Sequence, residues 1–468
     1  MLVSEEADIA VRGRAYREWL SGRRVSVVGL ARSGVAACRL LVECGARVVG
    51  TDAKPLAALS PEAQALEAIG VTLATDGHPR AVFADADLVV VSPGVPMDSP
   101  ALASVRPGVA IIGELELGWR ATEAEAIAIT GTNGKTTTTA LTGAVLHGQA
   151  RPVFVGGNIG TPLADHALRM PADGILVLEA SSFQLGTIEA FRPWVAAVLN
   201  VTPDHLDRHG AFDAYVDAKA RIFANQRETD CAVLNWDDPV ARGLASRVTA
   251  RVLWFSRREP LEHGVFVRDG WIVARLNGHV EEICPLTDIS LRGRHNLENV
   301  LAATACVLWT GMAPAPIHRG IALFRGVPHR IEFVRDIGGV AFYNDSKGTN
   351  VASSICALES FAEPIVLIAG GKGKGQDFGP LSAAARGRVA HGITIGQDGD
   401  AVGRALASAG IPVTRATTLE AAVAQAHQLA APGGVVLLSP ACASFDMFDN
   451  FEHRGDVFRA LVQALPDS

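Results

Sequence analysis

The stretch Ile127–Thr139 carries the residue types in this chain that are most suited to chemistry. It is an apolar run, Ile-Ala-Ile-Thr, followed by Gly-Thr-Asn-Gly-Lys and four threonines. Backbone N–H groups of such a loop can point at one anion, and a following helix adds the positive end of its dipole. Lys135 supplies a mobile positive charge, and Thr136 can reach Mg²⁺. The pattern predicts that the loop binds the phosphates of a nucleoside triphosphate.

The loop is a shortened form of the common phosphate-binding pattern. Aligned on Gly134 and Lys135, the full Gly-x-x-x-x-Gly-Lys pattern would have its first glycine at Ile129, whereas the nearest glycine is Gly131. The loop nevertheless lies between a strand-like run and a segment that can form a helix, so an ordinary turn is the weaker interpretation.

Polar residues follow three further apolar runs, in the segments 156–160, 178–184 and 200–209. In open α/β sheets, ligands bind at the carboxyl ends of the strands, so these residues are expected to converge on the crevice that Lys135 marks. Glu179 and His205 are candidate Mg²⁺ ligands. Mg²⁺ prefers hard oxygen donors, so Glu179 and Thr136 suit it better than His205, which could act indirectly.

An earlier glycine turn, Gly29–Gly34, resembles a dinucleotide-binding fingerprint in which Ala31 replaces the middle glycine. Asp52 follows the next strand-like run and could bind a hydroxyl group. Two interpretations are equally good. The turn binds a nucleotide or another phosphorylated ligand, or it is a tight turn that serves packing alone.

The elements that position these residues belong to α/β units. The runs 24–30, 127–131 and 365–371 each predict a strand that ends at a glycine turn and is followed by a helix. Continuous Val/Ile/Leu runs are typical of buried parallel strands. The 468 residues predict three doubly wound, mostly parallel α/β domains, with boundaries at 1–113, 114–326 and 327–468. A hairpin with Asp269–Gly270 at its tip is expected to flank the central sheet.

Composition excludes several classes of protein. The chain is 49% hydrophobic and 19% charged, and no apolar run is long enough to span a bilayer. A formal charge of −7 argues against nucleic acid as the main partner. The first twenty residues do not resemble a signal peptide, so a cytoplasmic location is expected. Seven scattered cysteines without a Cys-x-x-Cys pair predict reduced, mostly buried thiols.

Together these motifs resemble the Mur ligases, the ATP-dependent amide-forming family of peptidoglycan synthesis. The resemblance extends from about residue 24 onward and is greatest to the member that adds D-glutamate to UDP-N-acetylmuramoyl-L-alanine. The segments that carry it are 131–137, 157–160, 179–184, 200–207, 295–299, 328–330, 344–350 and 439–455.

The resemblance implies a fold and a mechanism. A Rossmann-like N-terminal domain would hold the UDP-sugar, a central P-loop ATPase domain would bind ATP, and a C-terminal dinucleotide-fold-like domain would bind the amino acid. The sugar's alanyl carboxylate would become an acyl phosphate, which the amine of glutamate then attacks. We expect small-molecule substrates, a monomer, and neither a nucleic-acid nor a membrane partner.

The resemblance also implies site residues. The ATP-binding set is Thr132, Asn133, Gly134, Lys135, Thr136, Thr137, Thr138, Asn296, Arg330 and Asp345. Two Mg²⁺ sites would involve Thr136, Glu179, His205 and Lys219, and the catalytic set would be Lys135, Asn158, His205 and Lys219. The UDP-sugar would contact Arg32, Ser33, Asp52, Lys54, Ser92, Gly94 and Asn158. Glutamate and the reacting end would contact Lys347, Thr349, Lys374, Ser444, Phe445 and Phe451.

Lys219 is a special case, because the family carries a carbamylated lysine in this helix. An unmodified ammonium would repel Mg²⁺, whereas addition of CO₂ produces an oxygen ligand of opposite charge. From the sequence alone, a solvated lysine on a helix surface is the default expectation.

Three alternatives remain at this point. Sister ligases that add a diamino acid, a dipeptide or folate-linked glutamates share the loop Gly131–Lys135, which we call the lysine loop. The segments 370–378 and 445–454 nevertheless favour the glutamate-adding member. A dehydrogenase that binds NAD(P) at the first glycine turn would leave the lysine loop unexplained. A nucleotide-binding regulator would hydrolyse ATP without forming an amide. The stereochemistry of the glutamate stays open.

Overall fold

The computed structural model describes residues 11–466, which form two compact units. One unit comprises the chain up to Leu286 together with Glu298–Ile321 and contains two β-sheets. The other comprises Thr287–Leu297 and the chain from Ala322 onward, and contains a third sheet.

The first sheet is parallel throughout, with strand order β3-β2-β1-β4-β5. Its strands are β1 (Arg24–Val28), β2 (Arg47–Thr51), β3 (Thr72–Ala74), β4 (Leu88–Val91) and β5 (Ala110–Gly113). The accompanying helices are α1 (Gly13–Leu20), α2 (Arg32–Glu43), α3 (Pro61–Gln64), α4 (Ala81–Ala84) and α5 (Glu114–Arg120). The strand order reverses at β1, so the turns after β1 and β4 border the crevice where such sheets bind ligands.

The second sheet has nine strands in the order β14-β13-β12-β11-β10-β9-β6-β8-β7. They are β6 (Glu125–Thr130), β7 (Val153–Gly157), β8 (Ile175–Glu179), β9 (Val195–Val198), β10 (Cys231–Asn235), β11 (Arg251–Ser256), β12 (Gly264–Arg268), β13 (Trp271–Leu276) and β14 (His279–Pro285). The helices that follow in sequence are α6 (Lys135–Leu146), α7 (Ser182–Leu185), α8 (Leu206–His209), α9 (Phe212–Ala220), α10 (Pro239–Gly243), α11 (Arg294–Leu308) and α12 (Pro314–Leu323).

The predicted hairpin is confirmed at one side of this sheet, next to the edge strand β14. Strands β12 and β13 pair antiparallel, with Arg268 opposite Trp271. Asp269 and Gly270 have φ angles of 52° and 78°. Two consecutive positive φ values are typical of the two-residue turn that matches the twist of a hairpin.

The third sheet has the order β15-β16-β20-β17-β18-β19, and only β15 runs antiparallel to its neighbour. Its strands are β15 (Glu332–Ile337), β16 (Val340–Asn344), β17 (Ile365–Gly370), β18 (Val389–Ile395), β19 (Val413–Arg415) and β20 (Val435–Leu438). Its helices are α13 (Val351–Leu358), α14 (Gly379–Ala385), α15 (Gly399–Ser408), α16 (Leu419–Leu429) and α17 (Phe451–Ala464).

The predicted fold class, three doubly wound and mostly parallel α/β sheets, is confirmed. The Val/Ile/Leu runs are buried on both faces; in the third sheet, for example, Leu367 and Ile368 face separate apolar clusters. The domain boundaries at 113/114 and 326/327 remain predictions.

All seven cysteines are free thiols, and five of them are buried, as the sequence predicted. Within residues 11–466, no helix is both long and apolar enough to cross a membrane.

Candidate active site

The lysine loop lies between β6 and α6, and its geometry suits a phosphate group. Gly134 is the N-cap of α6 with a φ of 85°, and no described side chain caps the helix there. The first N–H groups of α6 therefore lack an intrahelical acceptor and can bind an anion. A Cβ atom at Gly134 would lie 2.2 Å from Asn299 Oδ1, so the turn accommodates glycine alone.

Glu179 joins the lysine loop to the neighbouring strands. It is the last residue of β8, which lies between β6 and β7. Its Oε2 accepts a hydrogen bond from Thr136 Oγ1 at 2.8 Å, and its Oε1 accepts one from Asn158 Nδ2 at 2.7 Å. Glu179 is 2% exposed. Three residues predicted from separate motifs therefore lie in direct contact.

The loop after β9 fixes the other side of the lysine loop. Asn200 Oδ1 accepts from the backbone N–H of Asn133 at 2.9 Å, and its Nδ2 donates to the carbonyl of Asn133 at 3.1 Å. The Thr132 hydroxyl donates to the carbonyl of Thr202 at 3.1 Å and lies 3.3 Å from Tyr215 Oη.

The remaining threonines of the loop are buried in α6. Thr137 is 3% exposed and Thr138 is fully buried, with its hydroxyl donating to Asn299 Oδ1 at 3.3 Å. The structure therefore places the Thr138 hydroxyl against Asn299. Its predicted contact with ATP remains a prediction.

Lys135 and Lys219 donate to the same carbonyl oxygen. Lys135 Nζ lies 2.9 Å from Gly131 O and 2.9 Å from Thr132 O, while Lys219 Nζ lies 2.8 Å from Gly131 O. Lys219 is 1% exposed, and its Nζ lies 4.6 Å from the centre of the Tyr215 ring. The default expectation of a solvated lysine at this position is therefore wrong, because α9 turns this side chain toward the lysine loop.

The pKa of Lys219 reflects this position. Burial, and to a smaller extent the positive charge of Lys135, lower the pKa of Lys219 from the usual lysine value of 10.5 to about 7. Asp204 and Glu179 act in the opposite direction with smaller effects. A substantial fraction of the Lys219 side chain is therefore a neutral amine near pH 7.

His205 lies at the N-cap of α8, with a φ of 52°. Its ring contacts Phe183 at 5.3 Å and Tyr215 at 6.5 Å between ring centres, and its Nε2 lies 3.7 Å from Asp204 Oδ2. Among the described residues, no hydrogen bond joins His205 to Glu179 or Lys219.

The predicted UDP-sugar residues gather at the carboxyl ends of β1, β2 and β4. A cavity of about 700 Å³ is lined there by the predicted residues Arg32, Ser33, Asp52, Lys54, Ser92, Gly94 and Asn158, and also by Gln184. Asp52 Oδ2 accepts from the N–H of Leu30 at 2.7 Å, and Ser92 Oγ donates to Gly29 O at 2.7 Å. A Cβ atom at Gly34 would lie 1.8 Å from Gly29 O, so the first glycine turn also serves close packing.

The unit that holds the third sheet contains the predicted ATP-binding residues Arg330 and Asp345, and both have buried polar atoms. Arg330 Nε is buried without a hydrogen-bond partner among the described residues. Asp345 accepts from Ser439 Oγ at 2.7 Å and from the N–H of Ile331 at 3.2 Å. Burial raises the pKa of Asp345 to about 7. Asn296, in α11, donates from Nδ2 to the carbonyl of Arg292 at 2.6 Å.

The predicted glutamate-binding residues follow three adjacent parallel strands of that sheet. Lys347 and Thr349 come after β16, Lys374 after β17, and Ser444 and Phe445 after β20. Phe451 begins α17, and Lys347 Nζ lies 5.5 Å from the centre of its ring. Phe445 is 68% exposed, whereas Ser444 is buried.

The donor atoms around Glu179 fit Mg²⁺. The Thr136 hydroxyl and the Glu179 carboxylate are hard oxygen donors 2.8 Å apart. Among the described residues, no group of three or more His, Cys, Asp and Glu side chains is arranged so that it could hold a metal ion by itself. A cation here would therefore complete its shell with waters and substrate phosphates, as Mg²⁺ commonly does.

Two residues that the sequence interpretation left without a role belong to this site. Tyr215 contacts Lys219, and its position four residues earlier on α9 is a spacing that places both on one face. Asn299 contacts the lysine loop, and it lies within the segment 295–299 already singled out by the motif.

Family models match three consecutive parts of the chain. The Mur ligase MurD-like N-terminal domain matches residues 23–113, the Mur ligase middle domain matches 129–307, and the glutamate ligase domain of Mur ligases matches 329–442.

Curated relatives match almost the whole chain. The UDP-N-acetylmuramoylalanine–D-glutamate ligase of Geotalea uraniireducens is 48% identical over 449 residues, covering 96% of this chain and 99% of the relative. The protein of the same name from Pelotomaculum thermopropionicum is 47% identical over 445 residues, covering 95% and 98%.

Solved structures share the fold at low sequence identity. The UDP-N-acetylmuramate-alanine ligase MurC of Thermotoga maritima has a TM-score of 0.58 at 19% identity and covers 94% of this chain and 99% of its own. MurF of Acinetobacter baumannii has a TM-score of 0.58 at 17% identity and covers 97% and 99%. From the matched domains and the near-complete alignment with relatives at almost half identity, we conclude that this chain belongs to the Mur ligase family.

Proposed function

We propose that this chain joins D-glutamate to UDP-N-acetylmuramoyl-L-alanine and converts ATP to ADP and phosphate. The observation that carries the assignment is the 47–48% identity to D-glutamate ligases over nearly the full length. As a Mur ligase, the chain is an ATP-dependent ligase of peptidoglycan synthesis, and the family generally uses Mg²⁺. Its product supports construction of the cell wall, and so cell shape and division.

The reaction needs an activated carboxylate, because a free carboxylate is a poor acyl donor. The alanyl carboxylate of the sugar attacks the γ-phosphorus of ATP, ADP leaves, and an acyl phosphate forms. The amine of D-glutamate then attacks the acyl carbon, phosphate leaves and the amine loses a proton. Positioning and cationic neutralisation provide most of the catalysis in phosphoryl transfer.

The lysine loop is suited to the first step. Lys135 would exchange the carbonyls of Gly131 and Thr132 for phosphate oxygens, with the N–H groups at the start of α6 binding alongside. Asn158 and His205 would face the reacting carboxylate. Arg330, whose Nε is a buried donor, would contact a phosphate, while Asn296 would lie near adenine and Asp345 near the ribose.

Two Mg²⁺ sites complete this proposal, with Thr136 and Glu179 at one and His205 and Lys219 at the other. Mg²⁺ would stabilise the charge that develops on the transferred phosphoryl group. Carbamylation of Lys219 suits its environment, because only a neutral amine adds CO₂ and the pKa of Lys219 lies near 7. A carbamate would also replace a buried positive charge with oxygen donors.

The third sheet would bind glutamate. Lys347 and Lys374 supply positive charges that can pair with carboxylates, and Thr349 and Ser444 supply hydroxyls. Phe445 and Phe451 supply apolar contacts. We further propose three domains at 1–113, 114–326 and 327–468, a monomer, and a cytoplasmic location.

Product mass tests this function. The protein would be incubated with ATP, Mg²⁺, UDP-N-acetylmuramoyl-L-alanine and one glutamate enantiomer at a time, and the sugar product would be weighed. The expected result is a gain of one glutamyl residue with the D enantiomer alone, with one ADP per product. No gain with either enantiomer, or ATP hydrolysis without amide formation, would refute the proposal.

A further inference from the structure

Four aromatic rings form a closed set of contacts beside the lysine loop. They are Phe183, His205, His209 and Tyr215, and we call them the four-ring cluster. Phe183 lies 5.3 Å from His205 and 5.1 Å from His209 between ring centres. Tyr215 lies 6.5 Å from His205 and 5.2 Å from His209. The two rings that contact His205 are therefore the two that contact His209.

His209 connects this cluster to the segment that follows Glu179, the last residue of β8. Its Nε2 lies 3.0 Å from Ser182 Oγ, within hydrogen-bond distance. Ser182 is 3% exposed and begins α7, three residues after Glu179. His209 also ends α8, four residues after His205. One side chain thus links the segment of Glu179 to the turn of His205.

His205 depends on its neighbours for its position. It is an exposed residue with a left-handed backbone, and its ion-pair contact with Asp204 spans 3.7 Å. Its ring otherwise contacts Phe183 and Tyr215, and each of these two rings also contacts His209. The Phe183 ring is stacked almost parallel to the His209 ring, at 12°, and is inclined at 62° to the His205 ring.

Tyr215 extends the same connection to the lysine loop. Its hydroxyl lies 3.3 Å from Thr132 Oγ1, and its ring lies 4.6 Å from Lys219 Nζ. The four-ring cluster, which includes His205, thereby also contacts Thr132 of the lysine loop and Lys219 of α9. Removal of His209 would remove the ring that contacts both Phe183 and Tyr215.

We propose that His209 is a positioning residue that holds His205 in place for phosphoryl transfer through Phe183 and Tyr215. This inference rests on the proposed function, in which His205 faces the reacting carboxylate. Displacement of a catalytic group by about 1 Å can cost about a hundredfold in rate. Loss of the His209 ring is therefore expected to lower kcat strongly and to leave Tm nearly unchanged.

Three substitutions separate the ring of His209 from its hydrogen bond. His209→Ala removes both, His209→Phe keeps a stacking ring without the bond to Ser182, and Ser182→Ala removes the bond alone. The matched control is His391→Ala, which also removes a histidine that pairs with a hydroxyl, Thr414 Oγ1 at 2.8 Å, at a strand remote from these residues in sequence. For each variant, kcat, the KM of every substrate, the Mg²⁺ activation constant and Tm would be measured.

The expected result is a kcat at least about tenfold lower for His209→Ala, with the KM of D-glutamate unchanged and Tm close to that of the unsubstituted protein. His209→Phe should recover most of the lost turnover, and His391→Ala should be nearly normal. In a His205→Ala background, His209→Ala should have little further effect, because the two residues act through one position.

Other outcomes would overturn the inference. Turnover of His209→Ala within about twofold of normal would do so, since positioning defects are larger. A parallel loss of Tm and turnover in His209→Ala, without recovery in His209→Phe, would show that His209 serves the fold alone. Failure of the unsubstituted protein to form product would instead refute the proposed function, and this inference with it.

Discussion

The Thr136 hydroxyl donates to Glu179 Oε2 across 2.8 Å, and this bond joins the phosphate loop to the end of the neighbouring strand. The two residues lie 43 positions apart in sequence. Both supply oxygen atoms at the same point, next to a helix N-terminus that can bind an anion. The bond thus places the candidate cation ligands and the candidate phosphate site side by side.

Substitution of Thr136 tests this relationship. Thr136→Val keeps the shape of the side chain but leaves the buried Glu179 oxygen without a donor, which costs about 1–3 kcal/mol of stability. We expect Mg²⁺-dependent turnover to fall at least about hundredfold, because a metal ligand and its orientation are lost together. Thr136→Ser keeps the hydroxyl and should retain most activity. Equal turnover in the Val and Ser variants would contradict this role.

Stability at high pH tests the environment of Lys219. Its folded pKa of about 7 lies below the usual lysine value of 10.5, so between these values the unfolded state binds the proton and the folded state does not. The contribution of Lys219 to stability should therefore rise from about pH 7 to about pH 10.5 and stay flat below pH 7. Lys219→Met lacks this contribution.

The measurement is urea unfolding of both proteins at pH 6.0, 7.5 and 9.0, values chosen to bracket that pKa. The stability of Lys219→Met relative to the unsubstituted protein should be greatest at the lowest pH and shrink at the highest. A difference that is independent of pH would show that Lys219 titrates alike in the folded and unfolded states.

Gly34 provides a test of the first glycine turn. In Gly34→Ala the added Cβ would approach Gly29 O to 1.8 Å, so the backbone must shift. We expect a loss of about 1–3 kcal/mol in stability and a raised KM for the UDP-sugar, with the KM of ATP unchanged. Gly243→Ala is the control, because its Cβ would meet no described atom within 4 Å. A normal KM for the UDP-sugar in Gly34→Ala would remove this turn from the substrate site.

Substitution of Arg330 is expected to affect the KM of ATP and the free energy of unfolding differently. Arg330→Met removes a buried Nε that has no described partner, which favours folding by about 1–3 kcal/mol, but it also removes the charge that lowers the Asp345 pKa, so the free energy of unfolding should change by less than that. If Arg330 contacts a phosphate of ATP, the KM of ATP should rise at least about tenfold. Arg386→Met, at an exposed position, is the control. An unchanged KM of ATP would exclude the contact.

Local patterns in the sequence predicted the three sheets and the lysine loop, because buried parallel strands are continuous apolar runs and ligand-binding residues follow their carboxyl ends. The contact of Glu179 with Thr136 follows from that rule alone. The burial of Lys219 does not, because α9 has no marked apolar face that indicates which side is covered. The four-ring cluster could not be predicted from the sequence either, because its members come from three segments that only the tertiary fold brings together.

The shared acceptor of Lys135 and Lys219 has a consequence for ligand binding. Two cationic groups that donate to Gly131 O repel each other, and the repulsion falls when either loses its charge or turns to an anion. A nucleotide that draws Lys135 away would make protonation of Lys219 easier, whereas a carbamate on Lys219 would attract Lys135 and compete with the nucleotide for it. Because such coupling is reciprocal, bicarbonate concentration and nucleotide affinity should report on each other in this protein.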